Sequence, residues 1–172
     1  MAILRSFNSI ETITKHPKLI ISGEAVPLAR PRVSTRSGRV VVYDTPKNKE
    51  YKEKIRFELY KNLPYFAIKR VQEGGVVFSK DALLEIKITE YRKMPKSWNK
   101  LKKQVALKVQ QYPLTRPDLD NIIKIVLDAF TGYLWKDDSQ VVHIEAWKRY
   151  SDDPRLEIEI NPLFPMKELI EN

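Results

Sequence analysis

The stretch from Arg116 to Gly132 reads RPDLDNIIKIVLDAFTG, and its spacing of apolar residues decides the fold around it. Large apolar side chains recur at intervals of three and four, which is typical of a helix with one buried face. These positions are Leu119, Ile122, Ile123, Val126, Leu127 and Phe130. Thr131-Gly132 ends the pattern, because glycine readily takes the left-handed conformation that follows a helix. The sequence therefore predicts one amphipathic helix that begins just after Asp118.

The segments on either side of this helix predict a mixture of strands and further helices. Strands are expected at residues 18–23, in two extended pieces of 30–43 around Ser37-Gly38, at 84–88, at 141–150, and at 156–160 after an Asp152-Asp153-Pro154 turn. Helices are expected from Thr45-Pro46 to Pro64 and from Ser97 to Gln111. Residues 64–82 contain Gly74-Gly75 and predict a loop or flexible insertion.

This order of elements predicts a single α+β domain with a mixed β-sheet flanked by helices. We expect the domain to span residues 18–162, with an N-terminal extension at 1–17 and a C-terminal tail at 163–172. The opening MAILRSFNSIETITKHP lacks the apolar stretch and cleavage site of a signal peptide. No apolar run approaches the roughly 20 residues that span a bilayer. We therefore expect a cytoplasmic protein.

Composition restricts the kind of metal site that the chain can form. The 172 residues contain no cysteine and only two histidines, His16 and His143, which lie far apart. Thiolate zinc and iron–sulfur sites are excluded, because they need clustered cysteines. Any metal ligands must be mostly oxygens, which favours Mg²⁺ or Mn²⁺.

The net charge of +9 indicates a polyanionic partner such as nucleic acid. No acidic residue occurs between Ala25 and Tyr43 or between Arg92 and Pro117. The candidate phosphate contacts in these two stretches are Arg30, Arg32, Arg36, Arg39, Lys96, Lys100, Lys102, Lys103 and Arg116. Arg92 falls in the second stretch as well. The alternative is that the two stretches are a solvated loop and a solvated helix face.

A set of acids in this basic chain predicts a metal-dependent active site. Asp120 and Lys124 are four residues apart and would project from one exposed helical face, with Asp118 at the same helix end. Asp138 lies about twenty residues beyond Asp118 and would join them only if the tertiary fold permits. Clustered carboxylates repel one another unless a cation such as Mg²⁺ binds between them. A bound cation could polarise a phosphodiester, and Lys124 would face the phosphate.

Each of these residues also has a simpler interpretation. Asp118 or Asp120 could only cap the helix. Lys124 could pair with Asp120 or with Asp128, which lies at the same spacing. Asp137 and Asp138 could be turn residues.

The segments RPDLDNIIKIVLDAF, WKDDSQVV and the strand ending WKRY together resemble the RusA-type Holliday junction resolvases of bacteria, phages and prophages. GEAVPLARPRVSTRSGRVVVYDTPKNKEY is similar to the opening hairpin and first helix of that family. The resemblance covers roughly Leu19 to Ile160. It rests on D-x-D-N-x-x-K combined with D-D-x-Q, since either half alone is weak.

The resemblance implies a RusA-like fold and a Mg²⁺-dependent endodeoxyribonuclease, with Mn²⁺ as a possible substitute. As a homodimer it would resolve four-way DNA junctions by paired symmetric nicks, in DNA recombination and repair. It places the metal-binding acids at Asp118, Asp120 and Asp138 and the catalytic lysine at Lys124, with Asn121 in a supporting role. Asp137 is a weaker candidate ligand. Two alternatives stay open: a structure-specific DNA-binding protein without activity, and a nuclease that acts on other branched DNA.

Overall fold

The computed structural model describes residues 18–29, 32–36, 39–109 and 111–163. Within residues 32–43 it describes the backbone and, apart from Ser34, no side chains. In chain order the elements are β1 (Lys18–Ser22), β2 (Arg32–Arg36), β3 (Arg39–Tyr43), α1 (Pro46–Asn62), α2 (Tyr65–Gln72), β4 (Leu83–Lys93), α3 (Lys100–Lys108), α4 (Leu119–Phe130), a 3₁₀ turn (Asp138–Gln140), β5 (Val141–Ser151) and β6 (Arg155–Leu163).

Four of the strands form one mixed sheet in the order β1-β6-β4-β5. β4 and β5 run parallel, whereas β6 is antiparallel to both β1 and β4. β2 and β3 form a separate antiparallel hairpin. The predicted α+β class with a mixed sheet is therefore confirmed.

The core lies between one face of the sheet and helices α1 and α4. Alternate strand residues point to the same face, and those facing the helices are fully buried in the central strands. They include Leu84, Ile86, Ile88, Leu156, Ile158 and Ile160, with Leu19 and Ile21 from β1. α4 buries Ile122, Ile125, Val126, Ala129 and Phe130 against them. α1 begins at the Thr45 cap, whose side chain accepts a hydrogen bond from the Asn48 amide, and it buries Tyr51, Ile55 and Leu59.

The opposite face of the sheet, called here the open face, carries paired charges of both signs. Lys18 lies 3.0 Å from Glu157, and Arg155 lies 2.7 Å from the same residue. His143 contacts Glu85 at 2.7 Å. Because acids lie beside these bases, this part of the face does not form the continuous basic surface that phosphates favour.

The segment 111–117 lies across the outer edge of the sheet. The ring of Tyr112 stacks on Trp147 of the edge strand β5, with the ring centroids 5.7 Å apart. The next strand residue, Lys148, points to the other face and donates to the carbonyl of Pro117 at 2.9 Å. The segment therefore passes around the edge of β5 before α4 begins.

One prediction about secondary structure was wrong, and one predicted helix is present but shorter than expected. Residues 64–82 do not form a continuous loop, because Tyr65–Gln72 is a helix whose eight residues are too few to show a clear period. The helix predicted at 97–111 is shorter, Lys100–Lys108. Its start is set by Asn99, whose side chain accepts from the Lys102 amide at 2.8 Å and caps the first turn.

The predicted extension at residues 1–17 lies outside the described residues, as do residues 164–172 of the predicted tail. The tip of the hairpin at Ser37-Gly38 also lies outside them. In the part of the chain that the structure describes, no helix is long and apolar enough to cross a membrane.

Strand β1 offers a matched test of how the core stabilises the fold. Ile21 is fully buried, whereas its neighbour Ile20 is 47% exposed on the open face. We expect Ile21→Ala to lower the free energy of unfolding by about 2–5 kcal/mol, because it removes buried apolar contacts and leaves a cavity. Ile20→Ala should cost about 1 kcal/mol or less. Urea denaturation measures both, and equal losses would contradict this assignment of the two faces.

Candidate active site

The start of α4 presents two carboxylates to solvent. Asp118 occupies the N-cap position with extended backbone angles, φ −74° and ψ 143°, and its side chain makes no capping hydrogen bond. Both Asp118 and Asp120 are exposed. The first turn of a helix favours negative charge, because unpaired backbone N–H groups point outward there. The simple capping interpretation therefore does not describe Asp118, whose carboxylate is not used by the helix.

Asp120 and Lys124 form an ion pair one helical turn apart. Lys124 Nζ donates to Asp120 Oδ2 at 2.9 Å. This hydrogen bond, together with the lysine charge, holds the pKa of Asp120 below its ordinary value, so the carboxylate is ionised at neutral pH. Asp128, the other possible partner, instead lies 3.1 Å from Lys52 of α1.

Asp138 is held by two side chains that the sequence analysis did not single out. Its Oδ1 accepts hydrogen bonds from the hydroxyl of Thr131 and, at 2.9 Å, from the indole N–H of Trp135. Trp135 is fully buried, so it presents a rigid donor. These bonds fix one carboxylate oxygen of Asp138 while the residue stays exposed.

The neighbouring Asp137 has a local role. Its side chain accepts from the Ser139 amide at 2.9 Å and caps the 3₁₀ turn. The hydrogen bonds at Ser139 lower the pKa of Asp137. The turn interpretation therefore describes Asp137 better than it describes Asp138.

Gln140, the last residue of the D-D-x-Q motif, ties this turn to the rest of the protein. Its amide nitrogen donates to the carbonyl of Ser79 at 2.7 Å, and its amide oxygen accepts from the Lys136 N–H at 3.0 Å. The side chain is almost completely buried, with 6% exposure of the residue. We infer that the glutamine of the motif supports the position of Asp138.

Asp118 and Asp138 stand at opposite ends of α4. Asp118 is the N-cap, whereas the Thr131 that binds Asp138 is the C-cap. Thirteen residues at 1.5 Å each separate these caps by about 20 Å along the axis. Strand β5 gives a second measure of this separation. Asp138 comes just before Val141, the first residue of β5, whereas Pro117 is held by Lys148 of the same strand. Lys148 lies seven residues beyond Val141, which corresponds to about 23 Å along the strand.

The structure therefore pairs Asp120 with Lys124 and places Asp118 at the same end of α4, but it leaves Asp138 near the other end of the helix within one chain. Among the described residues, no group of three or more histidine, aspartate or glutamate side chains could hold a metal ion. The donor set at the start of α4 still fits a hard cation, because it offers two exposed carboxylates, one of them without a capping bond. Mg²⁺ in proteins is often held by one or two carboxylates together with water and substrate phosphates.

The candidate DNA contacts fall into three regions. Lys96, Lys100 and Lys102 are exposed and Lys103 is half-buried, in and around α3. Arg116 is exposed and lies in the segment just before α4. Lys102 lies over the ring of Trp98, with its Nζ 4.7 Å from the centroid. Arg32, Arg36 and Arg39 belong to the β2–β3 hairpin, and their side chains are not described; Arg30 lies outside the described residues.

The approach to the hairpin is attached to the start of α4. The Leu28 amide donates to the carbonyl of Asn121 at 2.9 Å. One residue on, the Ala29 carbonyl accepts from the buried side chain of Asn48 at 3.2 Å. The hairpin therefore departs close to the exposed acids of α4. Asn121 takes part in this attachment through its backbone carbonyl, and the supporting role expected of its side chain stays a prediction.

Comparison with known proteins places these features in a family. Residues 22–161 match the family model described as Endodeoxyribonuclease RusA. The chain is 36% identical over 145 residues to the uncharacterized protein YqaN of Bacillus subtilis (strain 168), covering 83% of this chain and 94% of that protein. It is 30% identical over 126 residues to the crossover junction endodeoxyribonuclease rusA of Lactococcus phage r1t, covering 72% of this chain and 79% of that protein.

The Asp120–Lys124 pair allows a direct electrostatic test. We expect Lys124→Met to raise the pKa of Asp120 toward its ordinary value, because the variant loses both the hydrogen bond and the positive charge. The pKa of Asp137 should stay the same, since its cause lies at Ser139. Carboxyl titration by NMR measures both groups. An unchanged pKa at Asp120 would mean that the ion pair does not persist in solution.

Proposed function

Because the chain belongs to the RusA family of endodeoxyribonucleases, we propose that it resolves four-way DNA junctions by paired, symmetric, Mg²⁺-dependent nicks. The observation that carries the proposal is the exposed Asp118–Asp120–Lys124 group at the start of α4, in a chain of net charge +9. We propose that the enzyme acts in recombination and repair in the bacterial cytoplasm. The relatives come from Bacillus subtilis and from a Lactococcus phage, which agrees with a bacterial or phage source.

In this proposal Asp118, Asp120 and Asp138 bind the metal ion, and Mn²⁺ can replace Mg²⁺. A bound divalent cation supplies charge that polarises the phosphodiester and lowers the pKa of an attacking water. Lys124 directs its ammonium group to the phosphate and stabilises negative charge there. In the absence of substrate the same ammonium group is held by Asp120, at the end of α4 that also carries Asp118.

We further propose that each active site is shared between the two subunits of a homodimer. The roughly 20 Å between the caps of α4 prevents one chain from placing all three acids on one ion. A two-fold dimer removes this obstacle if Asp118 and Asp120 meet Asp138 of the partner subunit. The symmetry then creates two equivalent sites, which suits the two equivalent strands cut in a junction.

Basic residues would hold the junction mainly through its backbone. The hairpin departs beside the exposed acids. Among the described residues, no acid forms an ion pair with Lys96, Lys100, Lys103 or Arg116. Phosphate contacts carry no sequence information, so binding should follow junction shape more than base sequence. The part of the open face around Glu85 and Glu157 is not part of this surface, because Lys18, Arg155 and His143 contact these acids there.

The first activity test measures cleavage of a synthetic four-way junction with and without Mg²⁺. We expect Asp138→Asn to lower cleavage by more than about 100-fold, since even the outer partners of metal ligands have effects of that size. Junction affinity measured without metal should persist. Denaturing gels measure cleavage and native gels measure binding. Normal cleavage by this variant would remove Asp138 from the site.

The wild-type protein distinguishes the alternatives. Uncut strands beside a shifted native band would favour a binding protein without activity. Faster cleavage of flaps or linear duplexes than of four-way junctions would favour a nuclease that acts on other branched or duplex DNA.

Mixed dimers test whether the site is shared. Asp120→Asn and Asp138→Asn should each be inactive as homodimers. In their mixed dimer, one site combines the intact Asp120 of one subunit with the intact Asp138 of the other, so we expect nicking of one strand to return. Two affinity tags on co-expressed chains allow the mixed dimer to be isolated before the assay.

A matched control dimer is expected to be inactive where the first mixed dimer is active. A chain carrying both substitutions is paired with a wild-type chain, which puts one defect in each shared site. This dimer should be inactive if sites are shared, whereas it should nick one strand if each chain holds a complete site. Activity in the control together with inactivity of the first mixed dimer would exclude the shared site.

The hairpin can be tested by its effect on salt dependence. We expect Arg30→Ala with Arg32→Ala to weaken junction binding roughly 10-fold and to reduce the slope of log K against log salt by about 2, because two phosphate contacts are lost. The control is Lys18→Ala with Lys87→Ala, which removes two lysines from the open face. Fluorescence anisotropy over a salt series measures the slopes. An unchanged slope in the hairpin variant would place the DNA elsewhere.

A further inference from the structure

Three successive backbone carbonyls that precede Asp118 are held by two cationic side chains. Arg92 Nη1 donates to the Thr115 carbonyl at 3.1 Å, to the Thr115 hydroxyl at 2.9 Å and to the carbonyl of Arg116. Lys148 Nζ donates to the Thr115 carbonyl at 2.7 Å and to that of Pro117 at 2.9 Å. We call Arg92, Lys148 and these three carbonyls the carbonyl clamp.

Both cations come from the parallel strand pair at the centre and edge of the sheet. Arg92 lies on β4 and Lys148 on β5, where Lys148 is the register partner of Glu90. Residues two apart on a strand share a face, so Glu90, Arg92 and Lys148 all point to the helix-bearing face. The clamp therefore connects the segment before α4 to the most extensively paired part of the sheet.

Glu90 is a buried counter-charge for the two cations. It is 1% exposed, and its Oε1 lies 3.3 Å from Arg92 Nη2. Among the described residues, neither of its carboxylate oxygens has a well-formed hydrogen bond. Burial raises the pKa of Glu90, and the nearby charges of Arg92 and Lys148 act in the opposite direction. The two cations therefore favour the ionised form of Glu90, which burial by itself disfavours.

Arg92 is therefore not available as the phosphate contact that its place in an acid-free stretch suggested. Its side chain is 13% exposed, and one of its terminal nitrogens serves three acceptors while the other faces Glu90. The arrangement directs the guanidinium group into the protein. A planar group with several fixed donors is well suited to bridging acceptors in this way.

We propose that Arg92 and Lys148 are positioning residues that set the orientation of Asp118, with Glu90 as their shared counter-charge. The inference rests on the proposed function. Asp118 lacks a capping bond of its own, so its direction depends on the backbone that leads into it. Fixing three successive carbonyls immediately before the N-cap removes much of the freedom of that backbone. A displacement of about 1 Å at a reacting group can reduce a rate about 100-fold.

The test compares Lys148→Met, Lys148→Arg and a control, Lys87→Met, which removes a lysine from the opposite face of β4. For Lys148→Met we expect kcat on junction DNA to fall about 10- to 100-fold and the half-saturating Mg²⁺ concentration to rise. Junction affinity without metal and its salt slope should stay the same. Lys148→Arg should recover most of kcat, because it restores a cation that reaches the same carbonyls. Lys87→Met should match the wild type.

Amide hydrogen exchange gives a readout that does not depend on activity. In the metal-free full chain, Lys148→Met should accelerate exchange in the peptide covering residues 115–121, whereas Lys87→Met should not. Thr115→Val, which removes one bond to Arg92 without changing any charge, should shift exchange and kcat in the same direction by a smaller amount. This milder variant keeps the test decisive if Lys148→Met does not fold, which circular dichroism would show.

Two results would overturn the inference. A salt slope reduced by about 1 with kcat unchanged would make Lys148 a phosphate contact. Wild-type exchange at 115–121 together with wild-type kcat, in whichever of Lys148→Met and Thr115→Val folds, would show that the clamp does not orient Asp118. If the wild-type protein cuts no junction, the proposed function fails, and the exchange comparison still decides whether the clamp orders this segment.

Discussion

The burial of α4 against the sheet is the constraint on which the rest of the site depends. Five of its twelve residues are buried, and they pack on the central strands and on α1. A helix held along its length cannot bend to bring its two ends together. The acids at its start and the acid bound at its C-cap therefore keep a fixed separation, and this rigidity is the reason that we propose sharing of the site between subunits.

At both ends of α4, the neighbouring segment is positioned by a polar side chain that binds backbone groups. Before its start, Arg92 and Lys148 bind backbone carbonyls; beyond its end, Gln140 binds the carbonyl of Ser79 and the amide of Lys136. In each case a buried or half-buried side chain meets backbone groups of an irregular segment. Strands β4 and β5 thus order the segment before Asp118, whereas Gln140 of the 3₁₀ turn anchors the segment that carries Asp138.

The sequence predicted most of the fold, because its strands and long helices show clear periods. It failed at α2, which is too short to show one, and at the start of α3, where Asn99 rather than an earlier residue provides the cap. The local Asp118–Asp120–Lys124 group followed from helical spacing. The placement of Asp138 could not be predicted, because it depends on side-chain hydrogen bonds from Thr131 and Trp135 and on the contact of Gln140 with Ser79, which is distant in sequence. The inward direction of Arg92 could not be predicted either, because the charge of a residue does not show which face of a strand its side chain occupies.

The segment 111–117 has a second consequence through its course around β5. An edge strand presents unpaired N–H and C=O groups to which a strand of another molecule can add, and eleven residues make β5 a long edge. This segment lies along the half of the edge nearest the C-terminus of β5. It is held there by the stacking of Tyr112 on Trp147 and by the hydrogen bond from Lys148 to Pro117. The segment that leads to the acids thereby shields part of the sheet from intermolecular strand pairing. The same contacts that position the acids also oppose aggregation.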